Sequence, residues 1–172
     1  MGLLEPPRGH SRIRRRPALA RVEGLRIRRA RLGDEPGLED LYSQKLHEGD
    51  YKSPGAANMR RAMRAVMRRP DQVLLVAVEE GKIVGTNHVV IFKHLARALR
   101  PAAIVENMVV DSRSRGAGVG DRLMEAALKI ARQHGCYKLA QTSNRKRPGA
   151  HRFYEKFGMS RSHHGYTLYL PK

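Results

Sequence analysis

The chain has 172 residues, 41% of them hydrophobic and 29% charged, which suits one domain with one sizeable core. Lys and Arg number 34 against 16 acids, a formal net charge of +18, a balance that attracts polyanions such as nucleic acid, anionic lipid or a phosphorylated cofactor. The single cysteine, Cys136, excludes an internal disulfide and points to a reducing, cytoplasmic setting, and no apolar run approaches the roughly 20 residues that span a membrane.

Positive charge is concentrated at the start, where residues 1–31 hold ten arginines and two acids. The stretch "MGLLEPPRGHSRIRRRPALARVEG" mixes Pro, Gly and clustered Arg without periodicity. It predicts a basic, mobile arm over residues 1–23 and a domain over 24–172. It has neither the apolar core of a secretory leader nor the serines of an organelle transit peptide.

"LRIRRA" alternates apolar and basic residues and predicts a short strand. "GDEPGLEDLYSQKLHEGD" predicts a helix with Asp34 as N-cap, Pro36 in the first turn, and Leu38, Leu41, Tyr42 and Leu46 on one face. "NMRRAMRAVMRRP" predicts a second helix with Met59, Met63, Val66 and Met67 inward and Pro70 closing it. "QVLLVAVEEGKIVGTNHVVIF" predicts a hairpin about a Glu-Gly turn, its second strand running from Lys82 to Phe92. "KHLARALRP" follows as a surface loop, and residues 102–110 as a central, mostly apolar strand.

Next comes "DSRSRGAGVGDRLMEAALKIARQHG", a Gly-rich turn leading into a helix from about Val119 to His134. The pattern puts Val119, Leu123, Ala127, Ile130 and Ala131 inward and Gly135 at the C-terminal stop. "CYKLAQTS" reads as a buried strand, "GAHRFYEKFG" as a short helix and "YTLYL" as a terminal strand. Strands and helices mix without a regular repeat, so the expected class is α+β around one sheet.

A strand running into a Gly-rich turn and a helix N-terminus is built for an anion. The first amides of a helix lack intrahelical partners, its dipole adds positive potential, and glycines let a phosphate approach the backbone. Arg113 and Arg115 would add long-reach donors. The dinucleotide fingerprint and the P-loop both fail here, because the glycines alternate and no Gly-Lys-Ser/Thr follows. What remains is Arg115-Gly116-Ala117-Gly118-Val119-Gly120, an R-x-x-G-x-G.

With "VENMVVD" before it and "HRFYEKFGMS" beyond the following helix and strand, this motif resembles the GNAT superfamily of acetyl-CoA-dependent N-acetyltransferases. The resemblance spans residues 25–170. It implies a mixed, mostly antiparallel sheet with helices on both faces and a splay between the two central strands that admits the coenzyme. By the same resemblance Arg115, Gly116, Ala117, Gly118, Val119 and Gly120 hold the coenzyme A pyrophosphate. Met108, Val109 and Val110 pair their backbone with the pantetheine arm, and the Met108 N–H polarises the thioester carbonyl.

The resemblance also assigns chemistry. Tyr154, in "RFYEKFG", would protonate the departing thiolate; its ordinary pKa of about 10 suits a proton donor. The bland alternative, an aromatic packed between helix and sheet, falls more naturally to Phe153 and Phe157. Glu106 interrupts an apolar strand, where a carboxylate is costly unless paired or used. It is read equally as general base or as the partner of an arginine. Many family members carry Asn six residues before the "FYE" aromatic; that position is Arg147 here, so Asn144, Arg145 and Arg147 are the candidates for contact with the coenzyme.

No histidine or cysteine spacing resembles a structural zinc site, so no metal is expected. The preferred reading is direct transfer of acetyl from acetyl-CoA to a primary amine, of a small molecule before a protein. A basic nucleic-acid-binding protein would use the +18 but leave the Arg-Gly turn and Tyr154 idle, and no aromatic stacking pattern supports it. A coenzyme-A-binding regulator without turnover is a third reading. The acceptor rim would combine "HEGDYKSPGA" and "SRSHHGYT", with Glu48, Asp50, Lys52, Arg161, His163 and His164. Nothing in the sequence decides whether a homodimer forms.

Overall fold

The computed structural model describes residues 24–45 and 52–170. The basic arm over 1–23 and the rim residues Glu48 and Asp50 lie outside the described residues, as does Leu46. The described residues divide into two units, one ending at Gln141 and the other beginning at Thr142.

The first unit grows from its hairpin. Strands β2 (Gln72–Glu79) and β3 (Lys82–Phe92) are joined at Glu80 and Gly81, both with positive φ, 48° and 77°. That geometry matches the twist of an antiparallel pair and is the one an X-Gly turn favours. Strand β1 (Arg26–Arg29) pairs antiparallel with β2, and β4 (Ala102–Val110) antiparallel with β3. Strand β5 (Leu139–Gln141) pairs parallel with β4, giving the order β1-β2-β3-β4-β5. The strand expected over "CYKLAQTS" is thus confined to three half-buried residues. The sheet is mixed and mostly antiparallel, within an α+β fold.

Helices α1 (Glu35–Lys45), α2 (Ala56–Met67) and α3 (Val119–Gln133) cover it. Strand alternation sends Val73, Leu75, Ala77, Val89, Ile91, Ala103 and Val105 into a core with Val119, Leu123, Ala127 and Ala131 of α3. The opposite face puts Val76 against Leu38 of α1 and Met63 of α2. Each fully buried Val, Leu, Ile or Met side chain contributes roughly 1.5–3 kcal/mol. Helix α3 comes closest at Gly85, where an added Cβ would lie 2.9 Å from Val119 Cγ1 and 3.0 Å from Leu123 Cδ1. At its other end Gly135 takes φ 67°; its N–H reaches the Arg132 carbonyl and the Cys136 N–H that of Ala131. These two bonds form the predicted glycine stop.

Asp34 occupies the expected N-cap position, its carbonyl accepting the Leu38 N–H at 3.0 Å. Its carboxylate turns back to accept the Arg28 guanidinium at 2.6 and 2.8 Å and the Arg31 N–H at 2.8 Å. A forked, charge-assisted pair is the stronger attachment. Glu35 beside it accepts the Gly33 N–H at 2.6 Å and Arg60 Nε at 2.9 Å, which ties α1 to α2. Met124, absent from the predicted inward face, is fully buried as well.

In the second unit, helix α4 (Pro148–Lys156) starts on its proline and ends at Phe157. Phe153 packs on Tyr154 and Phe157 with ring centroids 5.3 and 5.2 Å apart. Arg161 reaches back to Glu155 at 2.8 Å. The terminal strand expected from "YTLYL" does not form. Tyr166, Leu168, Tyr169 and Leu170 are 80–95% exposed, because alternation makes a strand only where another strand supplies the ladder. No helix among the described residues is long and apolar enough to cross a membrane.

Candidate functional site

Strand β4 outruns its neighbour β5 toward the motif residues. Its pairing with β5 stops at Val105 opposite Gln141, yet β4 continues to Val110 on its β3 side. Beyond Val105 no strand among the described residues pairs with its other edge. Met108, Val109 and Val110 all lie on this stretch. Among the described residues β4 lies between β3 and β5, and β5 is the last strand of the sheet.

A bulge interrupts the other ladder. Thr86 faces Val109 and His88 faces Glu106, so Asn87 stands opposite both Asn107 and Met108. Asn107 takes φ 50°, which Asn tolerates better than most residues. One extra residue re-aims a strand, and bulges favour functional sites. Glu106, directly before this one, is half-buried, and no arginine or hydrogen-bond donor among the described residues engages its carboxylate.

The Arg-Gly turn opens α3. Gly116 and Gly118 have φ of 82° and 83°, and nothing lies within 4 Å of the Cβ position at Gly116. Gly118 caps the helix, and the Arg122 N–H makes the bond to its carbonyl at 3.1 Å. The amides of Val119 and Gly120 precede that bond and have no intrahelical acceptor. Val119 itself is fully buried, so its part in any site is its backbone. Ala117 and Arg115 are exposed, and Arg115 enters no ion pair among the described residues. Open backbone, helix-start amides and an exposed guanidinium fit a pyrophosphate.

Arg113, the other donor expected at the turn, is held in an ion pair. Its guanidinium turns back onto Asp111, with Nε to Oδ1 at 3.1 Å and Nη2 to Oδ2 at 2.9 Å. Asp111 also accepts the Arg113 N–H at 2.9 Å and, more weakly, Gln44 Nε2 at 3.4 Å from the end of α1. Arg113 first, then its amide, hold the buried Asp111 carboxyl down to about 2. Asp111 therefore fixes where the turn leaves β4. The sequence marked it only as the last residue of a strand.

The second unit carries the remaining candidates. Asn144 Oδ1 accepts the Lys146 N–H at 2.9 Å, and its carbonyl accepts the Arg147 N–H at 3.1 Å, so its oxygens shape the entry to α4. Arg147 caps α4 and is exposed, as is Arg145. Tyr154 is half-buried on α4. In the first unit, burial pushes the Cys136 thiol up against the pull of Arg100, which leaves a poor nucleophile. The sequence reading also passed over Thr86-Asn87-His88, whose polarity inside an apolar strand was the available signal. Thr86 donates to the Leu75 carbonyl at 2.7 Å and Asn87 to that of Leu123 at 3.0 Å, pinning β3 to β2 and α3 beside the bulge.

Residues 37–159 match the family model described as the acetyltransferase (GNAT) family. The chain is similar to the glucosamine 6-phosphate N-acetyltransferase of Arabidopsis thaliana, 38% identical over 92 residues, 52% of this chain and 60% of that protein. It thus spans less than two thirds of that relative's length. It is also similar to the aminoalkylphosphonate N-acetyltransferase of Salmonella typhimurium, 30% identical over 145 residues, 84% of this chain and 90% of that one. The crystal structure of the Arabidopsis thaliana glucosamine-6-phosphate N-acetyltransferase matches with a TM-score of 0.77 at 29% identity, covering 87% of this chain and 100% of that one.

Proposed function

The chain belongs to the GNAT acetyltransferase family, and from that premise we propose that it moves an acetyl group from acetyl-CoA directly to the primary amine of a small molecule carrying a phosphate or phosphonate. The observation that supports the donor half is the short β5 ladder, which ends at Val105 opposite Gln141 while β4 runs on toward the glycine turn that opens α3. A thioester arm and its pyrophosphate need these two features side by side. The acceptor half is supported by relatives named for amines with phosphorus oxyanions. The net charge of +18 agrees with it, as does helix α2, which carries Arg60, Arg61 and Arg64 and no acid.

In this reading the Val119 and Gly120 amides and Arg115 hold the pyrophosphate, and Asn144, Arg145 or Arg147 is assigned to a further contact with the coenzyme by the family resemblance alone. Residues Met108 to Val110 align the arm along β4. The bound coenzyme supplies an activated acetyl thioester. Glu106 takes the proton of the incoming ammonium, and Tyr154 gives one to the departing sulfur. Holding amine and thioester together supplies much of the acceleration, since orientation alone can be worth roughly 7–11 kcal/mol.

Coenzyme A release with glucosamine 6-phosphate, an aminoalkylphosphonate, unphosphorylated glucosamine and a lysine peptide tests the assignment. Turnover is expected for the first two, with kcat/KM at least about tenfold above glucosamine, the worth of one good charge-assisted contact. Preference for the peptide would overturn the acceptor class, and no release with any amine would overturn the activity.

Asp111 gives a second test. Held near 2, it is ionised throughout the neutral range, so pH cannot probe it and a substitution must. Asp111→Asn loses the forked bond to Arg113 and is expected to raise KM for acetyl-CoA about tenfold, kcat changing less than about twofold. Loss of a cap of this kind costs about 1 kcal/mol. Steady-state kinetics with acetyl-CoA varied at saturating amine checks it; an unchanged KM would show that the turn holds its shape without Asp111.

A further inference from the structure

We propose that His88 completes the proton-accepting pair with Glu106, as a positioning residue that receives through Glu106 the proton taken from the acceptor amine. The inference rests on the acetyl-transfer reading above and adds a residue to it.

The register carries the argument. On β3, Gly85 meets α3, Asn87 bonds the Leu123 carbonyl of α3, and Val89 lies in the α3 core. Alternation sends His88 to the opposite face. There it stands across from Leu74 of β2 and Glu106 of β4. Directly opposed side chains have Cβ atoms about 4.5–5.5 Å apart, within reach of an imidazole and a carboxylate. The bulge at Asn107 is what leaves Glu106 on this face while Met108 turns to the α3 core.

Both groups are unspent. Glu106 has no ion pair among the described residues, and His88 Nε2 is buried without a hydrogen-bond partner. A buried polar atom with no partner calls for an explanation. Burial alone lowers the pKa of His88, so the ring is neutral at pH 7 and able to accept. Helix α1, packed over β3 and β4, carries Glu35, Glu39, Asp40 and Tyr42. Glu35 is tied to Arg60 and Glu39 to Ser53, while Asp40 is exposed. Glu106 is the acid placed directly opposite the ring.

The acceptor arrives as an ammonium. Glu106 takes one proton and passes it to the His88 imidazole, which frees the nitrogen lone pair. The nitrogen–carbon bond forms as the carbon–sulfur bond breaks, and Tyr154 protonates the sulfur. Glu106 removes the second nitrogen proton, solvent restores that of Tyr154, and one proton is released per turnover.

His88→Gln keeps the size and a hydrogen-bonding group but cannot hold the proton. It is expected to lower kcat about tenfold or more, to leave KM for acetyl-CoA within about twofold, and to remove the acid limb of kcat/KM expected of the wild type as His88 takes up its proton. Retained kcat with the limb in place overturns the pair, and so does loss of thermal stability with kcat intact, which marks a structural role. A second measurement needs no turnover: the His88 ring titration followed by NMR in wild type and Glu106→Gln. Removing the facing carboxylate is expected to move the midpoint to lower pH by about 0.5 or more, and an unmoved midpoint overturns the proposal. If the wild type transfers no acetyl group the activity reading fails, while the titration still decides whether the pair exists.

Discussion

Gly118→Glu is expected to abolish acetyl-CoA binding while the fold survives. Gly118 sits at φ 83°, ψ 2°, the left-handed region that costs an L-residue roughly 1–2 kcal/mol. An acid at a helix N-terminus returns part of that through the dipole, about 0.3–1 kcal/mol, so the net effect on stability is small. The effect on the coenzyme is not. A carboxylate about 5 Å from a pyrophosphate charge, at an effective dielectric near 20, repels by about 3 kcal/mol per charge pair, and the side chain occupies the approach that glycine leaves open. A rise in KM of at least about 100-fold follows from 2.7 kcal/mol alone. Scanning calorimetry separates the two effects: the melting point without ligand should stay within about 8 °C of wild type, and added acetyl-CoA should no longer raise it. Gly118→Ala has the strain without the charge and should lie between the two. A glutamate variant still stabilised by the coenzyme would mean that the anion sits elsewhere.

The features legible in the sequence were those whose causes are local. The Glu80-Gly81 turn carries its own dihedral requirement, so the bounds of β3 could be read at both ends. Residues 102–110 were legible as a strand because β-branched and apolar side chains run through it, and the 3.6-residue pattern after Gly118 placed α3. Features that depend on partners were not legible. "YTLYL" alternates as a strand should, but alternation says which faces differ and not whether another chain segment offers a ladder. The bulge at Asn107 has no glycine to announce it; only the shift from His88–Glu106 to Thr86–Val109 reveals it. Arg113 looked like a phosphate donor by composition, and only geometry shows its guanidinium spent on Asp111. Glu106 was undecided between ion pair and base for the same reason, as a sequence with 25 arginines does not say which of them lie near.

Tyr154→Phe is expected to bind both substrates normally and turn over about 100-fold more slowly. The substitution removes one hydroxyl and keeps the ring that packs edge-on to Phe153 at 5.3 Å, so the melting point should change little. General acid catalysis is worth about 10²–10⁴ in rate, and each factor of ten is 1.36 kcal/mol of barrier; the lower end suits a leaving thiolate that is already a moderate leaving group. A slow variant alone would not prove the role, because a displaced ring could slow the reaction by misalignment. The leaving group distinguishes the cases. An acetyl thioester of an electron-poor aromatic thiol departs as a stable thiolate and gains little from a proton. If Tyr154 donates that proton, the deficit of Tyr154→Phe should shrink to less than about tenfold with such a donor. If the ring only positions the thioester, the deficit should be the same with both donors. Equal deficits, or a kcat within twofold of wild type with acetyl-CoA, would remove Tyr154 from the chemistry and leave the departing sulfur to be protonated by solvent.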